Sequence, residues 1–219
     1  MSDNAGAVLL VLAVGAAGLL YMASQNNGNS DVSGFTTSDV LGQTEGTILD
    51  ITNFNGPTGD PNTNRQAFID MIAQSEVGAA LLAATDNGYN VLYGASASNP
   101  TTFSDYSTHP DILIPIPGDP YGRNSSAAGR YQINFPTFQT LSRQTGLTDF
   151  SPATQDAMAL QLAANKGALA DIDAGNISAA IAKCKGVWAS FAGATYGQHT
   201  NSLDSMLAWF QNAGGSLVS

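Results

Sequence analysis

Positive charge is scarce in this sequence. Its 219 residues carry 7 Lys+Arg against 17 Asp+Glu, a formal charge of −10 with a pI near 4.2. That balance excludes a nucleic-acid binder acting through a general basic surface. Not one Lys or Arg precedes Arg65. Cysteine occurs once, at Cys184, so neither an internal disulfide framework nor a thiolate zinc site can form. Histidine occurs twice, at His109 and His199, too few for a His-based metal site or relay. No phosphate loop or cofactor motif is visible, and neither a metal nor a cofactor is expected. Glutamate is confined to Glu45 and Glu76, which narrows the search for a Glu-type general acid. What is plentiful is apolar surface, 43% of residues, enough for a sizeable core.

Ala5 to Ala23 runs 19 residues without a charge and is rich in Ala, Leu, Val and Gly. As a helix it would span roughly 28 Å, close to a bilayer core, with Tyr21 at the interface. A cleaved signal peptide fits less well. Asp3 stands where a basic leader is wanted, and Tyr21-Met22-Ala23 makes a poor small-x-small cleavage site. A buried core helix also fits less well, because nothing amphipathic or paired follows. We expect a transmembrane anchor over residues 1–23, touching lipid through 5–23. With no positive charges to count, its orientation is unassigned. Gly6, Gly15 and Gly18, and Ala13 four residues from Ala17, would permit close helix packing.

Ser24 to Thr63 reads as a tether: 23 of its 40 residues are Ser, Thr, Asn or Gly, too polar to fold alone. As a flexible chain it would span roughly 35 Å. Its apolar middle, Val40 to Phe54, leaves open an ordered arm in an assembly.

Residues 64–219 read as one α+β domain, mainly helical, with a small β region. Ala67, Phe68, Met71 and Ile72 have the spacing of an amphipathic helix over Arg65–Ser75, capped by Asn62, Thr63 or Asn64. Glu76 stands at its end. Tyr89–Ala95 reads as a strand with Thr101–Tyr106 as its partner, and Ile112–Pro117 as a Pro-interrupted loop. Phe135-Pro136 opens a helix that Gly146 closes, and Ser151-Pro152 opens another. Shorter helices follow near Ala168–Ala174, Ser178–Lys185 and Asn201–Ala213, with Trp188, Phe191, Trp209 and Phe210 as core aromatics.

A lone carboxyl closing a helix beside a small β region suits cleavage of a glycosidic bond. The departing oxygen needs a proton, and a Glu in a partly apolar site can supply it near neutral pH. Taken alone, a Glu after a helix is more often a surface residue. Support comes from a set of motifs in fixed order. Arg65-Gln66-Ala67-Phe68-Ile69-Asp70-Met71-Ile72-Ala73 leads into Ser75-Glu76, then Gly88-Tyr89-Asn90-Val91 and Phe103-Ser104-Asp105-Tyr106-Ser107-Thr108-His109-Pro110. Ala128-Gly129-Arg130-Tyr131-Gln132, Gly146-Leu147-Thr148-Asp149-Phe150-Ser151-Pro152 and Gln155-Asp156-Ala157-Met158-Ala159-Leu160-Gln161 follow, and Trp188-Ala189-Ser190 and Tyr196-Gly197-Gln198 come last. In this order, over some 150 residues, the chain resembles the lambda-phage endolysin family of lytic transglycosylases.

The resemblance implies a lysozyme-like fold and cleavage of the bond between N-acetylmuramic acid and N-acetylglucosamine in peptidoglycan, leaving 1,6-anhydromuramoyl ends. The family's catalytic acid falls on Glu76. A glycosidase of the usual kind needs a second carboxylate, whereas a transglycosylase uses the substrate's own primary hydroxyl, so one Glu serves as acid and then as base. Two departures stand out: Val77 occupies the position of the family's Gly, and Gly78–Thr85 is rich in Ala and Leu. Asp86, ten residues after Glu76, keeps open a hydrolytic muramidase with a second acid, as in T-even-type lysozymes. By the resemblance, Tyr131 and Gln132 line the sugar groove, and Tyr196 and Gln198 border the cleft. His109 and Asp105 read as loop-holding residues, Arg130 as a structural ion-pair partner, and Cys184 as buried and inert.

Anchor, tether and muramidase-like domain together imply action on a wall beside a membrane, and the family resemblance implies a phage protein. The expected partners are peptidoglycan and lipid, with other virion proteins if the chain belongs to a membrane-containing particle opening the wall at infection. The alternatives are a signal-anchor-release endolysin at the host inner membrane, and an inactive structural virion protein.

Overall fold

The computed structural model describes residues 61–194 and 200–218, so the expected anchor and nearly all of the tether lie outside the described residues. Among the described residues no helix is long and apolar enough to cross a membrane.

Among the described residues, seven helices and one two-stranded sheet follow one another: α1 (Pro61–Glu76), α2 (Ala79–Ala84), β1 (Ile114–Pro115), β2 (Asn124–Ser125), α3 (Phe135–Thr145), α4 (Pro152–Asn165), α5 (Leu169–Asp173), α6 (Ile177–Cys184) and α7 (Leu203–Asn212). The α1 helix begins at Pro61, where a missing N–H costs nothing. Asn62, Thr63 and Asn64 therefore lie inside the helix rather than capping it, and the last three residues expected in the tether belong to the domain. All four residues of the expected apolar stripe are buried, and so are Ile69 and Ala73. The α1 helix is thus a central element, packed by α7, α5, α4 and α2, rather than an amphipathic surface helix.

The β region departs from expectation. Val91 bridges Thr102, and Leu92 bridges Ala128. The Leu92 N–H donates to the Thr101 carbonyl (3.0 Å), and the Gly129 N–H donates to the Val91 carbonyl (2.7 Å). These are isolated antiparallel bridges, because a segment that reaches two different partners within two residues cannot extend a ladder along either. The continuous sheet lies in the stretch expected to be loop: Ile114 pairs Ser125, and Pro115 pairs Asn124. Pro115 is tolerated there because a two-residue edge pairing does not need its missing donor.

The later helices follow their punctuation. Gly146 adopts the left-handed conformation after α3 (φ 77°) and donates to the Ser142 carbonyl. The Ser151 hydroxyl accepts from the Thr154 N–H ahead of α4, with Pro152 at its first position. The core runs from Phe68, Met71 and Ile72 through Tyr131, Phe138, Phe150, Met158 and Leu160 to Trp188, Phe191 and Phe210. Trp209 is half-buried against it.

Candidate active site

Glu76 is the final residue of α1. The helix unwinds beyond it: the Val77 N–H still donates to the Ala73 carbonyl (2.9 Å), and Gly78 then turns the chain with φ 80°. The glycine conformation thus falls one residue after Val77, on the next residue able to take it without strain.

The Glu76 side chain is half-buried, and its Oε1 accepts a 2.5 Å bond from the Ser190 hydroxyl. Burial pushes the carboxyl above its ordinary value, while the Ser190 hydroxyl and N–H pull in the opposite direction without cancelling it. No charged neighbour contributes to that shift among the described residues.

Ser190 is held by the core on both sides. Trp188 donates its indole N–H to the Tyr131 carbonyl and stacks on Phe191 at 5.2 Å. Phe191 meets Phe68 of α1 edge-on at 6.4 Å. The helix that carries the acid therefore also anchors the loop that carries its partner. Behind Ser190, its hydroxyl lies 2.7 Å from that of Ser75, and Asn201 Nδ2 donates to the Ser75 hydroxyl at 2.9 Å.

A half-buried carboxyl with raised proton affinity and one neutral hydroxyl partner can hold a proton near neutral pH and release it to a leaving oxygen. Among the described residues no group of His, Cys, Asp and Glu has the arrangement of a metal site. A separate depression of about 310 Å³ lies between α3 and α4, bordered by Pro136, Thr140, Gln144, Leu162 and Asn165. Neither Glu76 nor its partners border it, so it adds nothing to this chemistry.

The profile of the Endolysin family matches residues 66–217. The chain belongs to the endolysin family. It is 42% identical over 164 residues to the endolysin of Escherichia phage lambda, covering 71% of this chain and 94% of that protein. It is 39% identical over 162 residues to the endolysin of Escherichia phage P2, covering 73% and 98%. The solved structure of bacteriophage lambda lysozyme complexed with a chitohexasaccharide superposes with a TM-score of 0.63 at 41% identity, covering 71% of this chain and 97% of that one. A second structure of the lambda lysozyme gives 0.61 at 40% identity, with the same coverage. The fold of this endolysin-family chain is accordingly lysozyme-like, mainly helical with a small antiparallel sheet.

The other expected site residues fare unevenly. Tyr131 has no exposed surface; its ring lies in the core, and its hydroxyl donates to Asp156 Oδ1 at 2.5 Å. Its expected place on the groove wall is corrected, because a ring enclosed on all sides has no face to offer a sugar. Gln132, half-buried, takes the left-handed conformation (φ 48°) and donates its side-chain amide to the Gly129 carbonyl at 3.0 Å. A non-glycine residue held there is strained. Asp86 is exposed, and Tyr106 donates its hydroxyl to Asp86 Oδ2 at 2.6 Å. Tyr196 and Gln198 lie outside the described residues.

The structural readings of the remaining residues have direct counterparts. His109 is buried among Phe135, Phe138 and Phe150. Its Nδ1 accepts from the Asp111 N–H (3.0 Å), so Nε2 carries the hydrogen donated to the Ile133 carbonyl (2.8 Å). Burial lowers its proton affinity, keeping this single neutral tautomer in place. Asp105 is exposed and accepts from the Ser107 N–H within its own loop. Arg130 pairs with Asp70 at 2.7 Å. Cys184 is free and buried, its thiol pushed up to about 12 by burial.

Ser190 and Asn201 were missed as site residues. Ser190 is 114 residues from Glu76, and a Ser in an aromatic loop carries no spacing signal that points to a distant carboxyl.

Proposed function

We propose that this chain is a membrane-anchored peptidoglycan lytic transglycosylase of phage origin, cutting the β-1,4 bond between N-acetylmuramic acid and N-acetylglucosamine with Glu76 as general acid and base. The coarser part, a peptidoglycan-cleaving lysozyme-type enzyme, rests on family membership and on the glycan-bound relative. The finer part rests on the setting of Glu76. Its proton affinity is raised by burial, and no second carboxylate is coupled to it among the described residues.

In the first step, protonated Glu76 gives its proton to the glycosidic oxygen as the bond from the muramoyl anomeric carbon breaks. In the second, the ionised Glu76 takes the proton from the same muramoyl residue's primary hydroxyl as that oxygen closes on the anomeric carbon. The enzyme returns to its starting state, and water is not consumed. Mass analysis of soluble products from purified peptidoglycan tests this. Anhydromuramoyl ends are the expected outcome; reducing muramoyl ends without them would replace transglycosylation by hydrolysis, with Asp86 as the second carboxylate to mutate.

The 19-residue apolar run and the polar tether favour action beside a membrane, in a virion opening the wall at infection. The endolysin designation of the relatives favours a second reading, release of progeny by a signal-anchor-release enzyme. Mass spectrometry of purified particles separates the two: the intact chain at stoichiometric level supports the virion role, and its absence supports lysis. An inactive structural protein is eliminated by any Glu76-dependent zymogram band.

A further inference from the structure

The hydrogen-bond chain behind the acid has a direction that can be worked out atom by atom. Asn201 Nδ2 faces the Ser75 hydroxyl (2.9 Å), the Ser190 carbonyl (3.2 Å) and the Ser75 carbonyl (3.4 Å). Carbonyl oxygens only accept, so the atom facing them is the amide nitrogen, which cannot accept in return. The Ser75 oxygen receives a hydrogen from Asn201, and because Ser190 spends its single hydrogen on the Glu76 carboxylate, the Ser75 hydroxyl is the donor in its 2.7 Å contact with the Ser190 oxygen. Ser190, receiving from Ser75, directs its single hydrogen to Glu76 Oε1 (2.5 Å). The Asn201 N–H to Ser190 carbonyl bond, 2.8 Å, holds the two ends of the chain in register.

A proton on Oε1 would oppose this arrangement. Ser190 would have to accept from Glu76 and turn its hydrogen to Ser75, leaving both Ser190 and Asn201 donating into the Ser75 oxygen. Ser75's hydrogen would then need an acceptor beyond the chain. Among the described residues, Ser190 alone bonds the Glu76 carboxyl, through its hydroxyl at Oε1 and through its backbone N–H.

We infer that Ser190 is a positioning residue for Glu76, and that the one-way chain Asn201–Ser75–Ser190 keeps the acidic proton off Oε1 and on Oε2, the oxygen from which it is given to the substrate. This rests on the reading of Glu76 as the acid. The chain serves both halves of the cycle. Ser190 donates to Oε1 while Glu76 is protonated on Oε2, and it goes on donating when Glu76 is ionised. Oε2 alone therefore gives up and recovers the proton, without any rearrangement behind it. Because Ser190 favours the ionised carboxylate, it also offsets part of the effect of burial and keeps the group able to cycle near neutral pH.

The test is the pH dependence of soluble-product release from purified peptidoglycan by the full chain and its variants, with thermal melting as the control for folding. In Ser190→Ala the alkaline limb of the rate profile, where the acid form is lost, moves to higher pH by roughly one pH unit. Turnover at its optimum falls about tenfold. Ser190→Thr, which keeps the hydroxyl, returns the limb to its parental position. If Ser190→Ala is unfolded at the assay temperature, Ser75→Ala, which removes only the donor behind Ser190, is read instead, and its limb moves in the same direction by less. An alkaline limb superimposable on the parent's in the folded Ala variant, or one displaced as far in Ser190→Thr as in Ser190→Ala, overturns the inference. Glu76→Gln in the same assay keeps the two claims apart: if it is inactive while the Ser190 profiles are unmoved, only the positioning role falls, and if it is active, the acid assignment itself falls.

Discussion

Two buried polar clusters flank the core, and both contain a carboxyl whose proton affinity burial has raised. In the first, Glu76 meets one neutral hydroxyl and no counter-charge. In the second, Asp156 Oδ1 accepts from both Tyr131 (2.5 Å) and Tyr89 (2.9 Å). Arg130 lies over the Tyr89 ring at 5.2 Å and pairs with Asp70, while its other arm donates to the Asn87 carbonyl. The Arg130 charge and the two phenols all oppose the effect of burial on Asp156. Desolvation therefore does not by itself mark a catalytic acid. What separates the two is compensation: the Asp156 cluster is paired and closed, with Tyr131 fully enclosed, whereas Glu76 bonds a single described residue, Ser190, and no charged group offsets its burial. A site that must exchange a proton cannot also be saturated with donors.

The comparison can be broken most sharply at Glu76. Glu76→Gln is expected to lower peptidoglycan digestion on the order of 10³-fold while leaving the fold intact, measured by turbidity loss and by melting. Activity within tenfold of the parent would remove the distinction between the clusters. Arg130→Met does the reverse. It removes the cation beside Asp70, which keeps its bond from Gln66, and uncouples Asn87, costing about 1–3 kcal/mol of stability, read by urea denaturation, while the protein that remains folded retains its turnover. A third variant, Tyr131→Phe, removes one of the two donors to Asp156. It should cost about 1 kcal/mol and leave kcat/KM within about twofold; a large rise in KM with unchanged melting would restore Tyr131 to the groove.

The smallest effect concerns sign. The folded-state proton affinity of Glu76 is raised above its unfolded value of 4.5, so the native state binds the proton more tightly. The associated stability is present below pH 4.5 and is lost as pH rises through the folded value. Glu76→Gln removes this dependence. The melting temperature of the variant relative to the parent should therefore rise between pH 4 and pH 7. A relative melting temperature that falls over this interval would mean that the carboxylate is stabilised by its surroundings, as a structural acid would be.

How far these features could be read in advance depends on their range along the chain. The termini of α3 and α4 were legible because their signals are local: Gly146 takes a conformation other residues resist, and the Ser151 hydroxyl reaches a backbone N–H three residues away. Glu76 was legible from its place at the end of an apolar-patterned helix within an ordered set of motifs. The sheet was not. Leu92 and Val91 look like strand residues, yet their partners lie ten or more residues apart, at Thr102 and Ala128, and only packing decides how long each pairing runs. Tyr131 misled because an aromatic beside Gly129 and Arg130 reads the same whether its ring faces a groove or the core.

Sequence alone determined the acidic, cysteine-poor composition, Glu76 as the leading candidate acid, the capping of the later helices, and family membership through motif order. These are properties of residue type and short-range spacing. Tertiary structure decided that Ser190 and Asn201, more than a hundred residues away, complete the acid's surroundings, and that Tyr131 belongs to the framework. The physical reason is that the proton affinity and direction of a side chain depend on what is packed against it, and packing joins residues whose separation along the chain carries no signal.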